Sequence, residues 1–162
     1  MTHDDLYQQD IVVWSERQSA LLRRAAAGER VNDLDWPHII EEIEDVGGSA
    51  LRAVRSLLRR AIEHLLKLHS CPDSDAAGHW RREARAFLRD ATDGLTSGMR
   101  QHIDVDVLYR QAAEDVADDL IDGHPPAPWP GTNPFALSDL TAGKPDIGAL
   151  LAQLRAVTDN PG

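Results

Sequence analysis

A chain of 162 residues with 27 Asp+Glu against 17 Lys+Arg carries a formal net charge of −10, which disfavours a nucleic-acid backbone as partner, and its length suits a single domain with a core of its own. Hydrophobic residues make up 42% and aromatics only 5%. Ala, Leu and Arg abound and β-branched residues are sparse, so local propensity favours helix over strand. No run approaches the roughly 18 apolar residues of a membrane span, and Cys71, the one cysteine, excludes an internal disulfide.

The charge is unevenly spread. Residues 1–50 hold 4 Lys+Arg against 11 Asp+Glu, residues 51–100 hold 10 against 6, and residues 101–162 hold 3 against 10. No aromatics interleave the central arginines, so the basic stretch reads as a solvated face balanced by acidic neighbours rather than as a nucleic-acid groove. The N-terminal MTHDDLYQQD is acidic where a secretory signal is basic and then apolar, so the expected location is the cytoplasm.

In chain order, a first helix is expected over residues 4–27, with Tyr7, Ile11, Trp14, Leu21, Leu22 and Ala25 on one face and Gly28 as its stop. A second begins with Asp35 as N-cap and Pro37 in the first turn. Its stripe is Trp36, Ile39, Ile40, Ile43 and Val46, and Gly47 with Gly48 is expected to end it in a short turn. A third, antiparallel to the second, then runs from Ser49 to about His69, with Leu51, Val54, Leu58, Ala61, Ile62, Leu65 and Leu68 inward and Arg52, Arg55, Arg59 and Lys67 opposite. Pro72 closes it.

A fourth helix is expected from about Ala76 to Gly94, and residues 105–122 resume the period through Leu108, Ala112, Val116 and Leu120. HPPAPWPGTNP follows, with five prolines in eleven residues; it is read as an extended arm pinned by Trp129 and Phe135, the alternative being a partner-docking segment. A short turn near Ser138–Leu140 and a last helix over 146–156 complete the chain, and residues 157–162 are expected to fray. The expected fold is all-α: one domain over 1–162, a bundle of four to five main helices (core 4–122) with a proline-rich C-terminal arm and short helix (123–162).

The order Tyr7 to Trp14, LDWPHIIEEIEDVGGSALRAV, HLLKL, WRREARAFL, LYRQAAEDVADDL and PWPGTNPFALSDL resembles the bacterial family catalogued as domain of unknown function twenty-nine. Its most specific pieces are Ile40-Glu41-Glu42-Ile43-Glu44-Asp45 before a small residue, and His64-Leu65-Leu66-Lys67. The resemblance implies a helical bundle and no established activity. The family usually continues the second motif with Trp; this chain has Leu68 and then His69.

Helical phase places Glu42 and Glu44 beside the apolar stripe, with Glu41 and Asp45 outward. Glu42, Glu44, His64 and Lys67 are therefore the candidate interface or functional site. The leading reading makes His64 a half-buried histidine bonded to a flanking glutamate, tying two helices together in a non-enzymatic interaction or scaffold module that pairs with itself or another protein. The alternative is a metal-dependent hydrolase in which Glu44, His64, Glu42 and His38 hold a divalent metal between the second and third helices; the Glu-x-x-His spacing of such bundles is absent. Glu41, Glu42 and Asp45 also resemble half of the magnesium pattern of helical nucleotide pyrophosphatases, without its other half. No cofactor, nucleic acid or membrane is expected as partner.

Overall fold

The computed structural model describes residues 3–158; of the residues 157–162 expected to fray, Val157 and Thr158 are helical and 159–162 lie outside the described residues. Backbone contacts resolve into two compact units, Met1–Ser49 and Ala50–Gly162. Among the described residues the regular structure is helical, apart from one isolated antiparallel bridge between Ile121 and His124. No helix among them is long and apolar enough to cross a membrane.

The N-terminal unit starts with α1 (His3–Gln9) and α2 (Ile11–Ala26). The single helix expected over 4–27 is divided at Asp10, whose carboxylate accepts hydrogen bonds from the N–H groups of Val12 and Val13, both at 3.1 Å. Asp10 thus caps a new helix, as an acceptor at that position does. The restart turns Ile11 outward (44% exposed) and leaves Trp14 and Gln18 buried. Gly28, at φ +87°, stops α2 in the left-handed region that glycine enters without a Cβ clash.

The largest departure follows. α3 runs unbroken from Trp36 to Ser70, 35 residues, through the Gly47-Gly48 pair at which a turn and reversal were expected. Both glycines are helical, and a Cβ at Gly47 would meet nothing within 4 Å. A glycine inside a helix costs about 1 kcal/mol relative to alanine, which weakens a helix without ending it. A single helix therefore carries what was read as the second and third, and the facing pair of helices does not form.

In the C-terminal unit α3 contributes Val54, Leu58, Ala61, Ile62, Leu65, Leu66 and Leu68 to the core. Against them pack α4 (Ala77–Gly94) through Ala84, Leu88 and Ala91, and α6 (Val105–Ala117) through Leu108, Tyr109, Ala112 and Val116. α5 (Ser97–Arg100) is a single turn between them. Alanines at α4 positions 84 and 91 allow close approach, and a Cβ on Gly94 would come 3.3 Å from Val54 Cγ2. Asp104 caps α6, accepting from the N–H groups of Asp106 and Val107. That helix stops at Ala117, short of the expected 122, and Leu120 is left 69% exposed.

The chain then reverses at Asp122-Gly123, both with positive φ (52° and 80°), the backbone of a tight two-residue hairpin turn. Residues 124–135 lie along α6 and the end of α3. Tyr109 OH donates to Pro130 O at 2.6 Å, Ser70 Oγ to Ala127 O at 2.7 Å, and Asn133 Nδ2 to Asp106 Oδ1 at 2.8 Å. Phe135 is buried against Tyr109 and Trp129 is half-buried. Two short elements close the unit: α7 (Leu137–Leu140) and α8 (Ile147–Thr158), the latter burying Ile147, Leu150, Leu151 and Leu154.

Candidate functional site

Within the N-terminal unit, a polar network holds α1, α2 and the start of α3. Trp14 Nε1 donates to Asp35 Oδ2 at 2.9 Å, and His38 Nδ1 lies 2.8 Å from the same oxygen. The Asp35 N–H donates to Gln18 Oε1 at 3.0 Å. Burial alone would raise the Asp35 carboxyl, but the bonds from Trp14 and His38, including the His38 backbone N–H, outweigh it and hold the group below its ordinary value. Asp35 therefore serves both as the expected N-cap of α3 and as the anchor of α2.

Tyr7 stacks on the His38 ring at 4.0 Å between centroids, meets Trp14 edge-on at 4.9 Å, and donates its hydroxyl to Glu42 Oε1 at 2.7 Å. That bond, with the negative field of Glu41, Glu42 and Asp45, pushes the phenol up to about 12. Glu42 is thus engaged with Tyr7, and His38 with Asp35 and Tyr7.

The face of α3 turned away from this network is apolar and exposed. Of the expected stripe only Ile39 is buried; Trp36, Ile40, Ile43 and Val46 are 55%, 52%, 68% and 73% exposed. Glu44, a candidate interface residue, is exposed at the margin of this stripe, and Glu41 is exposed beyond it. The reason is local to the unit: α1 and α2 meet α3 on the side of Trp14 and Ile39 only, and Ile11, Val12 and Val13 of α2 are themselves exposed.

In the C-terminal unit, His64 Nε2 lies 3.1 Å from Glu83 Oε2 of α4, and its ring stacks on Phe87 at 5.6 Å. His79 Nε2 approaches the same Glu83 oxygen at 3.6 Å, and the Arg60 guanidinium sits 4.6 Å over the Phe87 ring. The expected histidine–glutamate tie between helices is present in kind, with a different glutamate. Glu42 and Glu44 share α3 with His64, so the interface on which their pairing with it depended is absent. Among the described residues no group of three or more His, Cys, Asp or Glu is placed to hold a metal ion. Lys67 Nζ forms an ion pair with Asp119 Oδ2 at 2.8 Å.

Burial pushes the His64 imidazole below its ordinary value, and the attraction of Glu83 opposes this without cancelling it. Its Nε2 faces Glu83, while Nδ1 is buried without a hydrogen-bond partner. With the folded value below 6.5, the unfolded chain binds more protons on the acid side of 6.5. His64 is thus expected to cost stability as pH falls from 6.5 through its folded value, and to cost nothing above 6.5. Denaturant midpoints measured from pH 7.5 to 4.5 in wild type and His64→Leu should diverge in that window. An NMR titration placing the imidazole above 6.5 would show that Glu83 outweighs burial.

Sequence reasoning missed Glu83, Tyr7 and Asp35 as partners. Glu83 carried one local signal, its position four residues after His79 on one helix face; Tyr7 and Glu42 are 35 residues apart and carried none.

A family model described as Domain of unknown function DUF29 matches residues 6–143, in agreement with the resemblance carried by the EEIED and HLLK motifs. The chain is also similar to a crystal structure described as an alpha-helical protein of unknown function from Rhodospirillum rubrum ATCC 11170. The two share 32% identity with a TM-score of 0.70, over 91% of this chain and 96% of that one. No curated protein matches the chain.

Proposed function

The chain belongs to the family described as Domain of unknown function DUF29, and from that premise we propose that it is a non-enzymatic interaction module whose N-terminal unit docks an amphipathic helix of a partner protein on the exposed face of α3. The observation that carries this reading is the run of Trp36, Ile40, Ile43 and Val46, four large apolar side chains each more than half exposed on successive turns. A helix lying in an apolar groove is read through anchors at this spacing, and an apolar run of this kind is not what an isolated soluble surface keeps.

Charge selects the occupant. Residues 1–49 hold 11 Asp+Glu against 4 Lys+Arg, and exposed Glu44 borders the apolar run with Glu41 beyond it, so the partner helix carries Lys or Arg along its flanks. A second copy of the same acidic face would repel itself. The network of Asp35, Trp14, His38 and Tyr7 supports the face from behind by fixing the start of α3 against α2, and a pre-ordered surface loses less entropy on docking.

The four side chains each supply about 1–2 kcal/mol on burial before association costs, which corresponds to micromolar or weaker affinity. The test uses two synthetic helical peptides with identical Leu stripes, one flanked by Lys and one by Glu, titrated into the full chain by calorimetry. The Lys-flanked peptide is expected to bind and the Glu-flanked one not. Ile40→Asp with Ile43→Asp should abolish binding and leave stability within about 0.5 kcal/mol of wild type, since both positions are exposed. A concentration-dependent dimer lost in that double variant would instead assign the face to a second copy, and absence of both effects would overturn the reading.

A further inference from the structure

The C-terminal unit contains a second surface of opposite character. Arg52, Arg55 and Arg59 follow one another at spacings of three and four along α3, on the side away from the core leucines. Together with Ser56 and with Leu108 and Gln111 of α6 they line a cavity of about 180 Å³. Every polar side chain on that lining is a hydrogen-bond donor: three guanidinium groups, one hydroxyl and one carboxamide. No carboxylate is among them. We propose that this cavity is a binding site for a dianionic phosphoryl group, as the free ion or as the terminal group of a small phosphomonoester.

Size and charge both favour that ligand class. The cavity has room for roughly six waters at about 30 Å³ each, below the roughly 300 Å³ at which sites for whole drug-sized molecules begin, so it takes a head group and leaves the rest of the molecule outside. Arginine presents a planar fork of donors that matches phosphate oxygens in pairs, and Arg55 and Arg59 bring two such forks to one cavity.

The two carboxylates beside Arg59 leave room for an anion. Arg59 Nη1 is 3.4 Å from Asp115 Oδ2 and its Nε is 3.5 Å from Glu63 Oε1, both longer than the roughly 2.7–2.9 Å of a charge-assisted hydrogen bond. Its Nε is buried and makes no hydrogen bond. Asp115 and Glu63 thus orient Arg59 while leaving its donors unsaturated. Arg55 and Arg59 are half-buried, which strengthens their attraction for an anion relative to a fully solvated arginine. The basic central stretch, read from sequence as a solvated face, here converges on a cavity.

The experiment is an amide NMR titration of the full chain with inorganic phosphate, glycerol 3-phosphate and acetate, at constant pH and ionic strength. Saturable shifts at the Ser56 backbone and the Gln111 side-chain amide are expected with both phosphates and not with acetate. Arg55→Gln and Gln111→Ala should each weaken binding about tenfold, the loss of one charge-assisted hydrogen bond, with the melting temperature of the unliganded protein unchanged. Arg55→Lys keeps the charge but loses the fork, and should also bind more weakly than wild type. Binding of glycerol 3-phosphate but not of phosphate would overturn the assignment to the phosphoryl group. So would equal response to acetate, non-saturating shifts, or affinity unaffected by the Arg55 and Gln111 substitutions.

Discussion

Gly47→Pro is expected to destabilise the protein by about 3 kcal/mol, and Gly47→Ala to stabilise it by up to about 1 kcal/mol. The opposite signs follow from the position of Gly47 well inside α3. Proline there removes the N–H that bonds the carbonyl four residues earlier and drives its ring into that carbonyl, whereas alanine adds a methyl group that meets nothing within 4 Å and removes conformational freedom from the unfolded chain. A turn at Gly47-Gly48 would reverse both signs: proline would be tolerated and alanine penalised. Urea denaturation of the two variants, followed by helical circular dichroism, separates the alternatives. A proline variant as stable as wild type would show that α3 is interrupted there.

Asp35→Ala should cost about 3 kcal/mol, almost all of it local to the N-terminal unit. The substitution leaves the Trp14 indole N–H, itself buried, without an acceptor, and strips His38 and the first turn of α3 of theirs. Stranding one buried donor costs about 1–3 kcal/mol, and losing a cap adds about 1. Asp35→Asn keeps one oxygen for Trp14 and should lose roughly half as much. Because the Asp35 carboxyl is held below its ordinary value, its stabilising contribution is present above pH 3.8 and is lost as pH falls through the lower folded value. The acid transition of wild type should therefore be steeper than that of Asp35→Asn, and matching acid transitions would show that the carboxylate does not anchor Trp14. Hydrogen exchange at the Trp14 indole gives a second, residue-specific measurement: it should accelerate in Asp35→Ala well before the C-terminal unit unfolds.

These two positions also show how far the residue pattern reaches. Periodicity located the helical stretches but joined α1 to α2 and divided α3, because apolar spacing reports a face and not where a helix starts or stops; the turn residues Gly28 and Pro72 marked real ends. Asp35 was legible as a cap since its acceptor acts on its own neighbours in the chain. Its bond to Trp14, 21 residues away, was not. The glycine pair misled because it was weighed alone. The spacing Trp36, Ile40, Ile43, Gly47, Ala50, Val54 keeps step through it, and an uninterrupted phase on both sides was the available sign of one helix.

The candidate site divides in the same way. That His64 ties two helices through a glutamate followed from its place at the edge of an apolar face, but the choice of Glu83 over Glu42 or Glu44 depended on the path of the chain. Asp10 was read inside a helix, and its capping bonds restart the helix instead, which is why Ile11 faces outward. The exposure of Ile40 and Ile43 was invisible to pattern, because an apolar stripe announces that it will be covered without saying by what.

The four tryptophans make that cover observable without a label. Trp14 is 3% exposed while Trp36 is 55% exposed, and Trp80 and Trp129 are partly covered by the C-terminal core. The indole of Trp36 thus emits from the most aqueous surroundings and is the most open to a soluble quencher such as iodide. A helix settling on α3 would shift that emission to the blue and remove its quenching, and in Trp36→Phe the same titration should leave the spectrum unmoved.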